Sequence, residues 1–261
     1  MKKQLQKILA KTREFNAGDM AADVFGFRRD VHYDALVMAP GWKPTKILNW
    51  TDFTVTQTAA HSYVSGYEVQ IGDKLVAWAQ TSSGGCNLID HLTICANLDF
   101  DHLLFAGAVG GLKKGFEVGD VCVSVKSIAG TMANAYLTDG LRNWKPFEAV
   151  VPPDMAYIDK ILSLADFPIK KASVYCTDSI ACEYYHLDFI KSFDTDLIEM
   201  ETSSFYQMAE LMERPAAAIL VVSDNSVNGE PLIGKSDAQE DRYNQGRKVL
   251  VPKLLERIVN S

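Results

Sequence analysis

The sequence predicts an α/β fold: a single domain with a mixed central β-sheet flanked by helices, in three layers. Two observations predict it. Short apolar runs recur along the chain with helical patterns between them, and several of those runs are apolar on successive residues. Unbroken apolarity of strand length is the mark of strands covered on both faces, and strands alternating with helices build layered α/β folds.

The first residues, M-K-K-Q-L-Q-K-I-L-A-K-T-R, form a basic amphipathic helix without an apolar core or small-residue cleavage site, so residues 1–30 read as a helical extension of the domain spanning 1–261. Strands are expected over Ala35–Ala39, Leu75–Gln80, Leu103–Ala108, Val121–Ile128, Ala172–Cys176, Asp196–Glu199 and Ala217–Ser223. Val64–Gly72 alternates better and pairs with Leu75–Gln80 as an outer hairpin, turning through Ile71-Gly72-Asp73-Lys74. Pro152-Pro153 marks a loop before a helix. From Thr202 to Glu213 the residues Phe205, Met208, Ala209 and Met212 fall at helical spacing, with Thr202 or Ser203 available to cap the start. Ser236 to Val259 carries apolar residues at helical spacing among many charges, so one long helix closes the chain.

Composition narrows the function. The 261 residues are 48% hydrophobic and 23% charged, as in folded soluble proteins. A net charge of −7 excludes the basic stripe of a nucleic-acid binder. No run approaches the roughly 18 apolar residues of a membrane helix, so no membrane contact is expected and the location is expected to be cytoplasmic. Five cysteines without a C-x-x-C pair read as reduced thiols, and five histidines show no ligand spacing, so neither a metal nor another cofactor is expected.

Ligands of such sheets bind in loops after strands. A-P-G-W-K-P-T-K follows a buried strand: Gly41 permits a tight turn, and Lys43 or Lys46 neutralises an anion. A surface turn with solvated lysines fits the same residues. T-S-S-G-G-C-N, with Ser83 at its centre, opens a helix whose free N–H groups suit an anion or sugar hydroxyl, and equally an ordinary cap. L-L-F-A-G-A-V-G-G-L places Gly107 and Ala108 after a buried strand, for close approach by a ligand or by another strand. I-E-M-E-T-S-S puts Glu199 and Glu201 at a strand–helix junction, and V-V-S-D-N puts Asp224 at the end of the most apolar strand. Residues two apart in extended chain point to opposite sides, so only one glutamate is expected to face a pocket. The helix dipole accounts for the glutamates and explains Asp224 poorly.

In this order the segments A-G-A-V-G-G-L with V-G-D-V-C-V-S, I-E-M-E-T-S-S and V-V-S-D-N resemble the nucleoside phosphorylase and nucleosidase superfamily, over roughly Asp34 to Ser226. The resemblance implies cleavage of a nucleoside N-glycosidic bond. It puts Met200 under the sugar, Glu201 on the ribose hydroxyls with Glu199 beside it, and Asp224 on the purine N7 as general acid. In V-Y-C-T-D-S-I-A it puts Ile180 where an aromatic usually stacks on the base, with Tyr184 or Phe205 as substitutes.

The phosphate loop departs from the family. P-G-W-K-P-T-K carries Trp42 and Thr45 where an aspartate and an arginine are usual, and Phe105 and Ala108 replace an arginine and a serine. Lys43, Lys46 and His61, the last lent by a neighbouring subunit, are the remaining candidates for binding phosphate. The hydrolytic relatives use a glutamate in this loop, and no carboxylate lies between Val37 and Lys46. The expectation is a phosphorylase acting on a purine nucleoside with inorganic phosphate, as a homo-oligomer (dimer or hexamer). Hydrolysis of a nucleoside or nucleotide, or a non-catalytic binding relative, stays open.

Overall fold

The computed structural model describes residues 1–49 and 51–261. Its strands are β1 His32–Pro40, β2 Thr54–Ala60, β3 Ser65–Ile71, β4 Lys74–Thr81, β5 Asp99–Gly111, β6 Val121–Ala129, β7 Ala149–Val150, β8 Lys170–Cys176, β9 Leu197–Glu199 and β10 Ala216–Asn225. Its helices are α1 Lys3–Phe15, α2 Met20–Phe25, α3 Pro44–Ile47, α4 Gly85–Cys95, α5 Met155–Leu164, α6 Ile180–Glu183, α7 Leu187–Lys191, α8 Thr202–Met212, α9 Asp237–Gln245 and α10 Val251–Val259. Every expected strand is present, and β2 and β7 are additional.

Side chains along the central strands β1, β5 and β10 alternate between two cores, which makes three layers. In β10, Ala216, Ala218, Leu220 and Val222 join one cluster with α4 and α8, through residues such as Leu88 and Phe205. Ala217, Ile219 and Val221 join the other, with Ile158 of α5 and Leu254 and Ile258 of α10. The two-residue period of a strand sends successive side chains to opposite faces, and here each face meets helices.

The sheet is mixed, and it also closes on itself. From β5 it runs outward through β1, β4, β3 and β2. On the other side β5 pairs with β10, β10 with β6, β6 with β8, β8 with β9, and β9 returns to β5, so five strands form a ring. β5 serves both halves. Its residues up to Phe105 pair with β1, while Gly110 and Gly111 pair with β9. Between these stretches, Ala106–Val109 have no strand on that edge among the described residues, although β10 covers the opposite edge throughout.

Local chemistry accounts for the turns. The β3–β4 hairpin turns at Gly72, whose φ of 61° is left-handed and strains a residue bearing a Cβ. α5 follows the two prolines and is capped by Asp154, whose carboxylate accepts from the N–H groups of Ala156 and Tyr157. The closing helix is continuous but not uniform: a π-turn over Gly246–Leu250 joins α9 to α10, just before Pro252. Proline gives no N–H to the helix ladder, and a widened turn accommodates that loss. Among the described residues no helix is long and apolar enough to cross a membrane.

Candidate active site

The gap along β5 is the floor of a cleft of about 650 Å³. A ligand site is expected where neighbouring strands of an α/β sheet diverge. Ser83, Gly107, Ala108, Ile180, Glu199, Met200, Glu201 and Asp224 all line it, although they come from five separate stretches of sequence. Gly41, Lys43, Lys46 and His61 are not part of that lining.

Asp224 owes its position to an irregularity. β10 pairs with β5 in register up to Val222↔Val109 and resumes at Asp224↔Gly110, so Ser223 is an extra residue. Such a bulge re-aims the side chain that follows it. The Ser223 hydroxyl donates to Asp224 Oδ1 at 2.6 Å. Burial raises the Asp224 pKa, and the Ser223 hydrogen bond opposes the rise. The next residue, Asn225, anchors the strand end: its Nδ2 donates to the carbonyls of Lys113 and Phe116 at 2.8 and 2.6 Å.

Both glutamates line the cleft, where opposite orientations were expected. Alternation ends at Glu201, whose φ of −131° and ψ of −31° leave the extended region as α8 begins. Their environments differ. Glu199 Oε2 accepts from the N–H groups of Glu201 and Thr202 at 2.8 and 2.9 Å, so Glu199 caps α8, the task expected of Thr202 or Ser203. Its Oε1 accepts from Cys176 Sγ at 2.9 Å, which ties it to β8. Glu201 accepts through Oε1 from the Gly84 N–H at the start of α4. That closeness of α4 and α8 requires Gly85, since a Cβ there would meet Ser204 Oγ at 2.5 Å.

Burial and then the charge of Glu199 push the Glu201 carboxyl up to about 8, while burial raises Glu199 as well. A carboxylate dehydrated beside another carboxylate holds its proton more tightly.

Ile180 is half-exposed at the cleft, as a side chain awaiting a flat ligand would be. Neither proposed substitute takes that place: Phe205 is fully buried against Phe105 and Tyr206, and Tyr184 is exposed and outside the lining. One lining residue escaped the sequence reading. Glu183 closes α6 one turn after Ile180, and burial followed by the Asp224 charge pushes its carboxyl up to about 7. Its i,i+3 spacing from Ile180 was the available signal.

The first loop reaches the cleft through Pro40, and its remaining residues have another use. Trp42 is buried, and its carbonyl accepts from Trp78 Nε1 at 3.0 Å, so the loop is fastened into the core. Lys43 and Lys46 are exposed at either end of the short α3. The imidazole of His61 reaches the carbonyl of Asp23 at 3.1 Å and is not part of the cleft lining.

Of the cysteines, Cys95, Cys122 and Cys176 are buried and Cys86 and Cys182 exposed, all as free thiols. One histidine, His32, lies with Asp34 and Asp101 within 4.8 Å. His32 already contacts Asp99 and Asp101, and Asp34 contacts Lys74, so the group is an ion-pair network.

Comparison with known proteins fits this geometry. In sequence, the chain is 26% identical over 147 residues to a DeoD-type purine nucleoside phosphorylase of Brevibacillus brevis, a match spanning 55% of this chain and 60% of that protein. In structure, it resembles a Campylobacter jejuni 5′-methylthioadenosine/S-adenosyl homocysteine nucleosidase at a TM-score of 0.68 and 16% identity, covering 87% of this chain and 99% of the other. It likewise resembles a Vibrio fischeri uridine phosphorylase at a TM-score of 0.70 and 13% identity, covering 89% and 93%. Those structural likenesses concern the fold. The family model of the phosphorylase superfamily matches residues 52–255, a span that holds β5, β9, β10 and the whole carboxylate cluster, and the chain belongs to that superfamily.

Proposed function

We propose that this chain cleaves the C1′–N9 bond of a purine nucleoside, with Asp224 as general acid on the base and Glu201 as acceptor for the ribose hydroxyls. The observation that carries the reading is the convergence of Glu201 and Asp224 on one cleft, each with a carboxyl raised by burial. Breaking the bond develops negative charge on the base and positive charge on the sugar. A carboxylic acid that donates its proton to the base relieves the first, a contribution of about 10²–10⁴-fold. Buried carboxylates beside the sugar ease the second. Met200 shares the lining with both groups, and Glu199 holds Glu201 and α8 in place.

For the attacking group, phosphorolysis to ribose 1-phosphate is the first reading. It is supported by the glycine turn of A-P-G-W-K-P and by the sequence similarity to a DeoD-type phosphorylase. It requires cations from beyond the cleft lining, such as His61 of a neighbouring subunit in a dimer or hexamer. A specific observation favours hydrolysis as a second reading: the lining contains Glu183, Glu199, Glu201 and Asp224 but neither lysine nor arginine. Phosphate entering such a cleft finds no cation in the lining to hold it, whereas water needs none. Base release from a panel of purine and pyrimidine nucleosides, with and without phosphate, tests both readings. Phosphate-dependent release with ribose 1-phosphate as co-product is expected for phosphorolysis, and phosphate-indifferent release establishes hydrolysis. Absence of release from every purine nucleoside refutes the bond-cleaving assignment.

A further inference from the structure

Glu183 has no task in the reading above. It is 9% exposed, lines the cleft, and its carboxylate has no hydrogen-bond donor among the described residues. A buried carboxylate without a donor is costly unless a ligand provides one. Its surroundings indicate which part of a ligand that is. Glu183 and Ile180 are one turn apart on α6 and open together into the cleft. Asp224 shares that lining, and its charge adds to the rise of the Glu183 carboxyl, while Glu199 accepts from the Glu201 N–H at the start of α8. Glu183 thus shares the cleft with Asp224 and the α6 turn with Ile180, the two residues assigned to the base.

A purine presents two adjacent positions on the corresponding edge: N7, an acceptor, and the C6 substituent. That substituent is a donor when it is an amine and an acceptor when it is a carbonyl. An ionised carboxylate only accepts. With Asp224 at N7, its neighbour faces the C6 substituent, satisfied by an amine and repelled by a carbonyl oxygen. We propose that Glu183 selects 6-aminopurines over 6-oxopurines by accepting from the exocyclic amine, an inference that rests on the purine assignment above.

The test uses the full chain and its Glu183→Gln variant, at about pH 8 where the carboxyl is mostly ionised. kcat/KM is measured for adenosine and inosine, and calorimetry measures binding of adenine and hypoxanthine. The wild type is expected to prefer the amino compounds by about 10- to 100-fold. Glutamine both donates and accepts, so the variant is expected to bring the ratio within about threefold, chiefly by gaining on the oxo compounds. A thermal melt matching the wild type establishes that the variant folds. Equal use of the two nucleosides by the wild type, a preference for inosine, or an unchanged ratio in the variant overturns the proposal, as does failure of both bases to bind. Loss of base discrimination in a chain that cleaves neither nucleoside leaves Glu183 assigned and refutes cleavage instead. Cleavage of both with an unchanged ratio refutes Glu183 alone.

Discussion

Replacing Glu201 by glutamine measures how much stability the cleft gives up to hold its carboxylates. Glu201 is 5% exposed, and its carboxyl stands at about 8 against the ordinary 4.5, through burial first and the Glu199 charge second. Each unit corresponds to about 1.4 kcal/mol, so ionised Glu201 destabilises the fold by at most about 5 kcal/mol. Because the folded value lies above the unfolded one, the penalty is absent below about pH 4.5 and complete once pH has risen through about 8. Glutamine keeps the shape, carries no charge and still accepts from Gly84. It is expected to add on the order of 2–4 kcal/mol at about pH 9 and close to nothing at about pH 5. At about 2–4 °C per kcal/mol for a chain of this size, the variant melts roughly 5–15 °C higher at the alkaline pH. Some pH dependence persists in the variant, since Glu199, Glu183 and Asp224 are raised in the same direction. Thermal and urea unfolding at three pH values provide the assay. Equal gains at acid and alkaline pH, or no gain at either, would refute the argument that the Glu201 charge is the source of the strain.

Two further substitutions separate chemistry from scaffold. Asp224→Asn removes the proposed acid with little change in volume, and base release is expected to fall about 10²–10⁴-fold while substrate binding changes little; single-turnover kinetics at the wild-type rate exclude the acid role. Trp42→Ala empties a buried site outside the cleft lining and is expected to lower stability by about 3–5 kcal/mol in urea unfolding while leaving the rate of bond cleavage near that of the wild type; a rate loss in a fully folded variant returns the first loop to the active site.

The parts of this fold that the sequence displays are those whose periodicity follows from burial. β10 is apolar for seven successive residues because helices cover both its faces, so strand and layer arrangement are legible from residue order alone. Ring closure is not legible. It depends on which strands β9 pairs with, β8 on one edge and β5 on the other, and the choice of partner leaves no mark in an apolar pattern. β2 is a Thr-rich, largely exposed edge strand whose composition resembles a loop. At the site, Asp224 and Glu201 stand out as charges beside apolar strands. Glu183 lies within a short polar stretch, and only the fold reveals its burial. The lysines of the first loop illustrate the converse, since charge in sequence carries no information about direction. Trp42 docks into the core, and the lysines beside it remain in solvent.

The gap along β5 has an evolutionary meaning. Three successive residues, Gly107–Val109, line the cleft between the end of β1 pairing and the start of β9 pairing. Mutation replaces side chains but leaves peptide groups in position as long as the strand holds. A ligand gripped by that stretch is therefore recognised by a surface that sequence drift barely alters. Side chains around it, including Phe105 and Ala108, are free to diverge and to admit a different second substrate. Such a cradle separates inheritance of the cleft from inheritance of its chemistry, so relatives of this chain can share one floor and still deliver different attacking groups to the same bond.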